Sequence, residues 1–220
     1  MAAKIGSPAP NLHVSEWVQG KPTNLDSEKG NVVLVEVFQV NCPGCFLYGI
    51  PEAIDLYSKY REEGLTILGL ATAFEDFDKN NLENLRKLVT TGEVVGETLN
   101  ALSQYGQLKE GGKLTFKIPF PVGMDLLRKD SGSLTESKIM DFVEEKVPEF
   151  RSYNEKERQE LVQRVKHYLQ GKEFSALTFE EYALRGTPSS IVVDRKGVLR
   201  STSFGSNGYL EGTIKGLLEE

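Results

Sequence analysis

The sequence predicts an α/β fold in which a central mixed β-sheet is flanked by helices. Residues 32–40 are apolar and largely β-branched, which is typical of a buried central strand, and helical periodicity follows over residues 45–64. Residues 65–71 are again apolar, and a strand–helix–strand unit implies parallel pairing with a right-handed crossover. Residues 188–193 and 197–204 predict two further strands joined by a hairpin turn, so we expect antiparallel pairing as well.

Length and composition are those of a globular protein. The chain has 220 residues, 39% hydrophobic and 26% charged, which we interpret as one domain spanning residues 1–220. The net charge of −6, without a dense basic run, argues against nucleic-acid binding. We expect no membrane partner, because no stretch of about 18 apolar residues occurs. Residues 1–10 contain no apolar core long enough for a signal peptide, so we expect a cytoplasmic protein.

The remaining elements follow in chain order. Residues 1–31 contain short apolar runs and a Gly-Lys-Pro turn signal, which predict an N-terminal β-hairpin on the edge of the domain. Residues 79–105 carry the apolar stripes of two helices, and residues 119–125 predict a short edge strand, where prolines are tolerated. From about residue 126 to 181 the sequence is helical and strongly charged, so we predict a helical insertion; residues 209–218 predict a final helix.

The two cysteines of the chain, Cys42 and Cys45, lie where the central strand gives way to a helix. Pro43 suits the first turn of that helix, because its missing N–H would be unpaired there. Unpaired N–H groups at a helix start lower a cysteine pKa to roughly 3.5–7.5 and favour the thiolate, which is the nucleophile. We therefore expect Cys42 to attack a disulfide and Cys45, one turn later, to resolve the mixed disulfide.

This pair, together with the segment Arg-Gly-Thr-Pro-Ser-Ser-Ile-Val-Val-Asp-Arg-Lys-Gly at residues 185–197, resembles the thioredoxin superfamily. The segment is similar to the family's cis-proline loop running into its closing β-hairpin. The opening Ile-Gly-Ser-Pro-Ala-Pro at residues 5–10 is similar to the TlpA-like and AhpC/TSA-type branch. The resemblance covers about residues 5–125 and 182–220, which leaves the helical stretch between them as an insertion.

The resemblance implies a thioredoxin-like fold and a thiol–disulfide oxidoreductase with antioxidant activity and a role in cell redox homeostasis. It implies a cis peptide between Thr187 and Pro188 beside the cysteines, and contact of Pro43, Gly44, Thr187 and Pro188 with the substrate. The redox group would be the disulfide of the cysteine pair, with no other cofactor and no metal. The implied partners are protein or small-molecule disulfides or dithiols and an electron-donating thiol system.

Glu36 lies six residues before Cys42, at a position where thioredoxins carry a buried aspartate. Alternation along the strand places its side chain on the same side as Phe38 and Val40. Burial raises the pKa of a carboxyl group, so we expect Glu36 to accept the Cys45 proton near neutral pH. The alternative is a structural carboxylate that is hydrogen-bonded or faces solvent.

Three positions depart from the thioredoxin pattern. Asn41 replaces the tryptophan before the first cysteine, Gly69 replaces the lysine that accompanies the buried aspartate, and the dipeptide between the cysteines is Pro-Gly instead of Gly-Pro. Because that dipeptide helps to set the thiolate pKa, the sequence leaves the direction of disulfide exchange open.

Two other functions are open at this point. A peroxiredoxin-like peroxidase would need Pro-x-x-x-Thr-x-x-Cys, but Val35 and Gln39 occupy the proline and threonine positions. A redox-inert binding module would instead use the helical insertion to recruit a partner. A structural zinc site is disfavoured, because the two cysteines supply only two of four ligands and His13 and His167 lie in unrelated segments.

Overall fold

The structure, a computed structural model, describes residues 2–129, 134–171, 174–206 and 208–220. The chain divides into two compact units. The first comprises Met1–Leu127 and Ala176–Glu220, and the second is Arg128–Ser175. The second unit lies within the stretch of about 126–181 that the sequence analysis interprets as a helical insertion, whereas residues 126–127 and 176–181 belong to the first unit.

Ten strands in the described residues form one large sheet and two small ones. They are β1 (Val14–Gln19), β2 (Val32–Phe38), β3 (Leu65–Ala71), β4 (Leu108–Lys109), β5 (Lys113–Leu114), β6 (Val122–Asp125), β7 (Leu127–Lys129), β8 (Phe174–Ala176), β9 (Ser189–Val193) and β10 (Leu199–Phe204). The main sheet has the order β1-β6-β3-β2-β9-β10, while β4 pairs with β5 and β7 with β8. Because β2 is parallel to β3 and antiparallel to β9, the predicted mixed sheet is confirmed.

The α-helices of the described residues are α1 (Ile50–Tyr60), α2 (Leu82–Thr91), α3 (Gly96–Gln104), α4 (Glu136–Lys146), α5 (Glu155–Gly171), α6 (Leu177–Glu181) and α7 (Leu210–Leu218). A π-helical turn, Cys45–Gly49, leads directly into α1. Among the helices that the structure describes, none combines the length and apolar character needed to span a bilayer.

Strand β2 is the centre of the first unit, and all seven of its residues are buried. Its side chains alternate between two apolar layers. Leu34 and Phe38 pack in the layer that contains the buried face of α1, whereas Val33 and Val35 pack in the layer on the other face of the sheet. Glu36 shares the face of Leu34 and Phe38 by strand alternation, so its carboxyl group lies in an apolar layer.

Two sequence predictions are corrected by the pairing of strands. The expected hairpin within residues 1–31 does not form among the described residues, because β1 pairs with β6 and Pro8 forms an isolated bridge with Val198. The expected edge strand at 119–125 is an inner strand, since β6 lies between β1 and β3. Its prolines precede the strand, and the carbonyl of Pro121 accepts a hydrogen bond from the Gly69 N–H at 2.8 Å.

The second unit has a small core of its own, built from α4, α5 and a 3-10 helix, Pro148–Ser152. Ile139, Val143 and Phe150 are its buried apolar residues, with half-buried side chains of α5 packed against them. Thr135 begins α4 by accepting a hydrogen bond from the Lys138 N–H at 3.3 Å. The helices predicted for this stretch therefore bury apolar side chains against one another.

Candidate active site

Cys42 and Cys45 form a disulfide just beyond the end of β2. Their Cα atoms are 5.4 Å apart, with Cys42 partly exposed and Cys45 completely buried. Cys45 begins the π-helical turn, so both cysteines lie at the N-terminus of the helical segment, as predicted. The partly exposed Cys42 sulfur is the one that an incoming molecule can reach.

The helix start supplies a hydrogen-bond donor to the Cys42 sulfur. The backbone N–H of Cys45 points at Cys42 Sγ, with the nitrogen 3.2 Å away. A donor at this position stabilises negative charge on sulfur, so it lowers the free energy of a Cys42 thiolate relative to the thiol when the disulfide is reduced. This geometry supports the assignment of Cys42 as the nucleophile.

The loop before β9 lies against the disulfide. The Thr187–Pro188 peptide is cis, and the carbonyl oxygen of Thr187 is 3.5 Å from Cys42 Sγ. Pro188 also approaches the cysteine motif, because a Cβ added to Gly44 would lie 3.8 Å from its Cδ. The structure therefore brings together the cysteine pair, Gly44 and the cis-proline loop from residues about 145 positions apart.

Gln39 holds this loop in place and is a site residue that the sequence analysis did not identify as one. Its Oε1 accepts a hydrogen bond from Thr187 Oγ1 at 3.1 Å, and its Nε2 donates to the carbonyl of Glu75 at 3.5 Å. The side chain is 2% exposed. The sequence did contain an indication of this role, because Gln39 is a polar residue in an apolar stretch, three positions before the first cysteine. A polar side chain buried in such a strand usually has a hydrogen-bond partner.

Glu36 is buried next to the cysteine-bearing helix, with only 2% of its surface exposed. Its Oε2 accepts a hydrogen bond from Ser190 Oγ at 3.2 Å, whereas Oε1 has no hydrogen-bond partner among the described residues. Desolvation raises the pKa of Glu36 to about 8; the Ser190 hydrogen bond opposes that shift and the charge of Glu52 adds to it. Glu36 can therefore exchange a proton close to neutral pH.

Gly49 allows this close approach. A Cβ at Gly49 would collide with Glu36 Oε1 and lie 2.7 Å from the Cβ of Pro188. Gly49 is one turn after Cys45 and ends the π-helical segment. The absence of a side chain at Gly49 thus lets the helix, the carboxyl group and the cis-proline pack at one point.

The departures from the thioredoxin pattern have structural explanations. Gly69 is in register with Glu36, and a Cβ there would lie 3.3 Å from both Phe120 and Val122, so aromatic and aliphatic side chains fill the space of a lysine. Asn41 instead fixes the start of α3, because its Oδ1 accepts the Glu97 N–H at 2.7 Å. Glu36 consequently has no cationic partner in the described part of the chain.

Comparison with solved structures identifies the fold that carries the cysteine pair and the cis-proline loop. No protein-family model matches the sequence. A thioredoxin-like superfamily protein and a thiol-disulfide isomerase from Corynebacterium glutamicum each superpose over 98% of both chains, with 24% identity and TM-scores of 0.60 and 0.58. The chain has a thioredoxin-like fold. The thioredoxin domain of a thiol-disulfide oxidoreductase from Bacteroides vulgatus superposes with a TM-score of 0.51, at 16% identity over 99% of both chains.

Sequence comparison finds a shorter likeness. Protein DipZ of Mycobacterium bovis and of Mycobacterium tuberculosis is 32% identical to the chain over 75 residues. That alignment covers 32% of this chain but 11% of DipZ, so the chain matches only a small part of those relatives.

The thioredoxin-like fold explains why the site is assembled at the C-terminal end of β2 and the start of β9. Strand β2 delivers the cysteines from its C-terminal end, and β9 begins one residue after Pro188 and runs antiparallel to β2. Four of the predicted site residues meet there: Cys42, Gly44, Thr187 and Pro188. Pro43, between the cysteines, is partly exposed. No group of three or more potential metal ligands occurs among the described residues.

Proposed function

We propose that this chain is a thiol–disulfide oxidoreductase that uses the Cys42–Cys45 disulfide as its redox group. The observation that supports this function most strongly is the position of the partly exposed Cys42 sulfur. It lies 3.2 Å from a helix-start N–H and 3.5 Å from the Thr187 carbonyl that precedes the cis-proline. One contact favours a thiolate, and the other places substrate-accessible backbone beside it.

The reaction follows from the two sulfur environments. The Cys42 thiolate attacks one sulfur of a substrate disulfide, forms a mixed disulfide and releases the other sulfur as a thiolate. Buried Cys45 then loses its proton and attacks Cys42 Sγ, which releases the second substrate thiolate and leaves the Cys42–Cys45 disulfide. Two electrons pass from the protein dithiol to the substrate, and the reverse sequence oxidises a substrate dithiol.

We assign Glu36 as the group that accepts the Cys45 proton in the resolving step. With a pKa raised to about 8 by burial, the carboxylate is a stronger base than an exposed glutamate, and its Oε1 carries no competing hydrogen bond among the described residues. Glu36 Oε1 lies against Gly49, which is one helical turn after Cys45, and this proximity supports the assignment. In the reverse direction the same carboxyl group returns the proton to the Cys45 thiolate.

On the substrate side, we propose that Pro43, Gly44, Thr187 and Pro188 form the surface around the reactive sulfur. Protein or small-molecule disulfides and dithiols are the proposed substrates, with an electron-donating thiol system to regenerate the dithiol. The cytoplasmic location, the antioxidant and redox-homeostasis roles and the AhpC/TSA-type assignment stay predictions from the sequence.

Substitution of each cysteine tests the assignment. Cys42→Ser should abolish dithiol-dependent reduction of insulin in a turbidity assay, because it removes the nucleophile. Cys45→Ser should instead accumulate a mixed disulfide between Cys42 and the substrate, detectable by intact-mass measurement. Retention of insulin reduction by Cys42→Ser would contradict the proposed function, as would mixed-disulfide formation through Cys45 in that variant.

A peroxidase of the peroxiredoxin type gains no support from the site. Val35 is buried in the apolar layer on the face of the sheet opposite Glu36, and Gln39 is engaged with Thr187. Neither side chain supplies the hydroxyl group that would position a peroxide, so we retain disulfide exchange as the single proposed function.

A further inference from the structure

A groove at the outer edge of the main sheet is the feature that the proposed reaction leaves unused. It has a volume of about 660 Å³ and is bordered by residues 3–5, residues 182–185 and the end of β10. All three segments belong to the first unit. Phe204 and Ile5 border it with 58% and 60% of their surfaces exposed, so the groove offers two apolar side chains to a ligand.

The groove adjoins the cis-proline segment, because Arg185 and Ser189, on either side of residues 186–188, both line it. A Cβ added to Gly186 would lie 2.5 Å from Cε2 of Phe204, so the Phe204 ring covers the backbone of Gly186. Gly186 directly precedes Thr187, whose carbonyl oxygen is 3.5 Å from Cys42 Sγ. A chain bonded to Cys42 through a disulfide can therefore continue past Phe204 into the groove.

The backbone of β10 presents unused hydrogen-bonding groups to this groove. The Gly205 N–H donates to the Pro188 carbonyl at 2.8 Å, so Gly205 faces β9. In an antiparallel ladder successive residues face alternate sides, and Thr202 and Phe204 therefore direct their N–H and C=O groups away from β9. Because β10 ends the six-stranded sheet, no strand within the described residues pairs with them there.

The charges of the groove are opposite to those of the whole protein. The chain has a net charge of −6. Apart from Tyr182, however, the ionisable side chains that line the groove are two exposed cations, Lys4 and Arg185. Neither forms an ion pair or side-chain hydrogen bond within the part of the chain that the structure describes. Unpaired cations beside exposed apolar side chains favour an acidic, partly apolar ligand.

We propose that this groove binds an acidic, extended segment of the substrate protein next to its reactive cysteine, added as a strand along β10. Lys4 and Arg185 pair with its carboxylates, Ile5 and Phe204 pack against its apolar side chains, and Thr202 and Phe204 provide the backbone hydrogen bonds. This inference rests on the proposed disulfide exchange and specifies its preferred substrate class.

Two matched peptides test the charge preference. Both contain one cysteine in a mixed disulfide with a coloured aryl thiol and alternate apolar with polar positions; one carries Asp and Glu, and the other carries Asn and Gln. The reduced protein should release the aryl thiol about tenfold faster from the acidic peptide at low ionic strength, and added salt should reduce the ratio. Lys4→Glu/Arg185→Glu should bring the ratio to one or below.

Lys21→Glu/Lys109→Glu is the matched control, because it makes the same change in net charge at two exposed lysines outside the groove. It should keep the preference for the acidic peptide. Equal rates with both peptides in the unsubstituted protein would overturn the proposal that the groove binds an acidic segment. Disulfide exchange by Cys42 and Cys45 would still stand. Failure to reduce either peptide would instead overturn the proposed function.

The strand addition is tested separately in a trapped complex. Cys45→Ser protein is joined to the acidic peptide through Cys42, and amide hydrogen exchange is followed at Thr202 and Phe204. Both amides should exchange at least about tenfold more slowly in the complex than in the free protein, because each gains a hydrogen bond. Unchanged exchange at both amides would overturn pairing along β10.

Discussion

Two buried carboxyl groups of the same sheet, Glu36 and Asp125, have opposite environments. Asp125 is completely buried, and both of its oxygens accept hydrogen bonds: Oδ1 from the Thr178 N–H at 3.0 Å, and Oδ2 from Thr72 Oγ1 at 3.0 Å and the Phe179 N–H at 3.1 Å. Glu36 has one bond, from Ser190, and a bare Oε1.

The difference separates a structural carboxylate from a reactive one. Desolvation raises the pKa of both groups, but at Asp125 the hydrogen bonds from Thr178, Phe179 and Thr72 oppose the shift. Those bonds fix the start of α6 on β6 and stabilise the charged form. At Glu36 only the Ser190 hydrogen bond opposes desolvation, so its pKa is raised to about 8, close to neutral pH, where a proton acceptor is most effective.

The largest expected effect comes from removing the proton acceptor. With a symmetrical aryl disulfide that releases one coloured thiolate when Cys42 attacks and another when Cys45 resolves, Glu36→Gln should leave the first release fast and slow the second. General-base catalysis typically contributes about 100-fold or more, and we expect a reduction of that size. Stopped-flow absorbance resolves the two phases.

Asp125→Asn is the matched control, since it also converts a buried acid of the sheet to its amide. Both release phases should keep their rates, because the hydrogen bonds of the Asp125 carboxylate within the described residues come from Thr72, Thr178 and Phe179 and not from the cysteines or the cis-proline loop. If Asp125→Asn slowed the second phase as much as Glu36→Gln, the distinction between the two carboxyl groups would be wrong.

Stability should show the reverse order. Asn at position 125 turns a donor amide toward the Phe179 N–H or the Thr178 N–H, which leaves a buried N–H unpaired at a cost of about 2 kcal/mol. Gln at position 36 keeps an acceptor for Ser190. Near pH 6 Glu36 is protonated and its buried O–H already has no partner among the described residues, so replacing that O–H by an amide should cost below about 1 kcal/mol. Urea unfolding of the oxidised proteins measures both; equal losses would contradict the hydrogen-bond assignment.

The smallest effect is expected at Ser190, the one hydrogen-bond donor to Glu36. That bond lowers the Glu36 pKa, so Ser190→Ala should raise it further. The pH at which the second release phase reaches half its maximal rate should then move upward. Ser203→Ala, at the neighbouring position on β10, removes a hydroxyl group outside this contact and should leave the pH profile in place. A downward shift in Ser190→Ala would contradict the account.

The sequence predicted the site well where local chemistry determines it. The Cys42–Cys45 pair follows from its motif and the inward direction of Glu36 from strand alternation, and the structure confirms both. The cis peptide before Pro188, which the resemblance to thioredoxins implies, is also present. Gln39 and Gly49 were missed as site residues. Their roles depend on contacts with Thr187 and Pro188, which are distant in sequence and carry no local pattern.

The errors in strand pairing have the same cause. The short apolar runs within residues 1–31 indicated strands but carried no information on their partners, because pairing depends on side-chain packing across the sheet. The partner of β1, β6, lies about 105 residues further along the chain. The segment at residues 119–125 was likewise predicted as an edge strand because it contains prolines. Pro121 is the residue before β6, so no proline interrupts the hydrogen bonds between β6 and its neighbours.

The raised pKa of Glu36 also makes stability depend on pH. The folded protein holds this proton more tightly than the unfolded chain, so the resulting stabilisation is present below about pH 4.5 and is lost as the pH rises toward about 8. The stability of Glu36→Gln relative to the unsubstituted protein should therefore increase across this interval.

Direct titration of the Glu36 carboxyl carbon by ¹³C NMR in the oxidised protein tests the central assignment. We expect a midpoint near pH 8, assigned to Glu36 by its absence in Glu36→Gln. A midpoint near the ordinary value of 4.5 would show that Glu36 is already ionised and stabilised in the folded protein, and would contradict its role as the proton acceptor for Cys45.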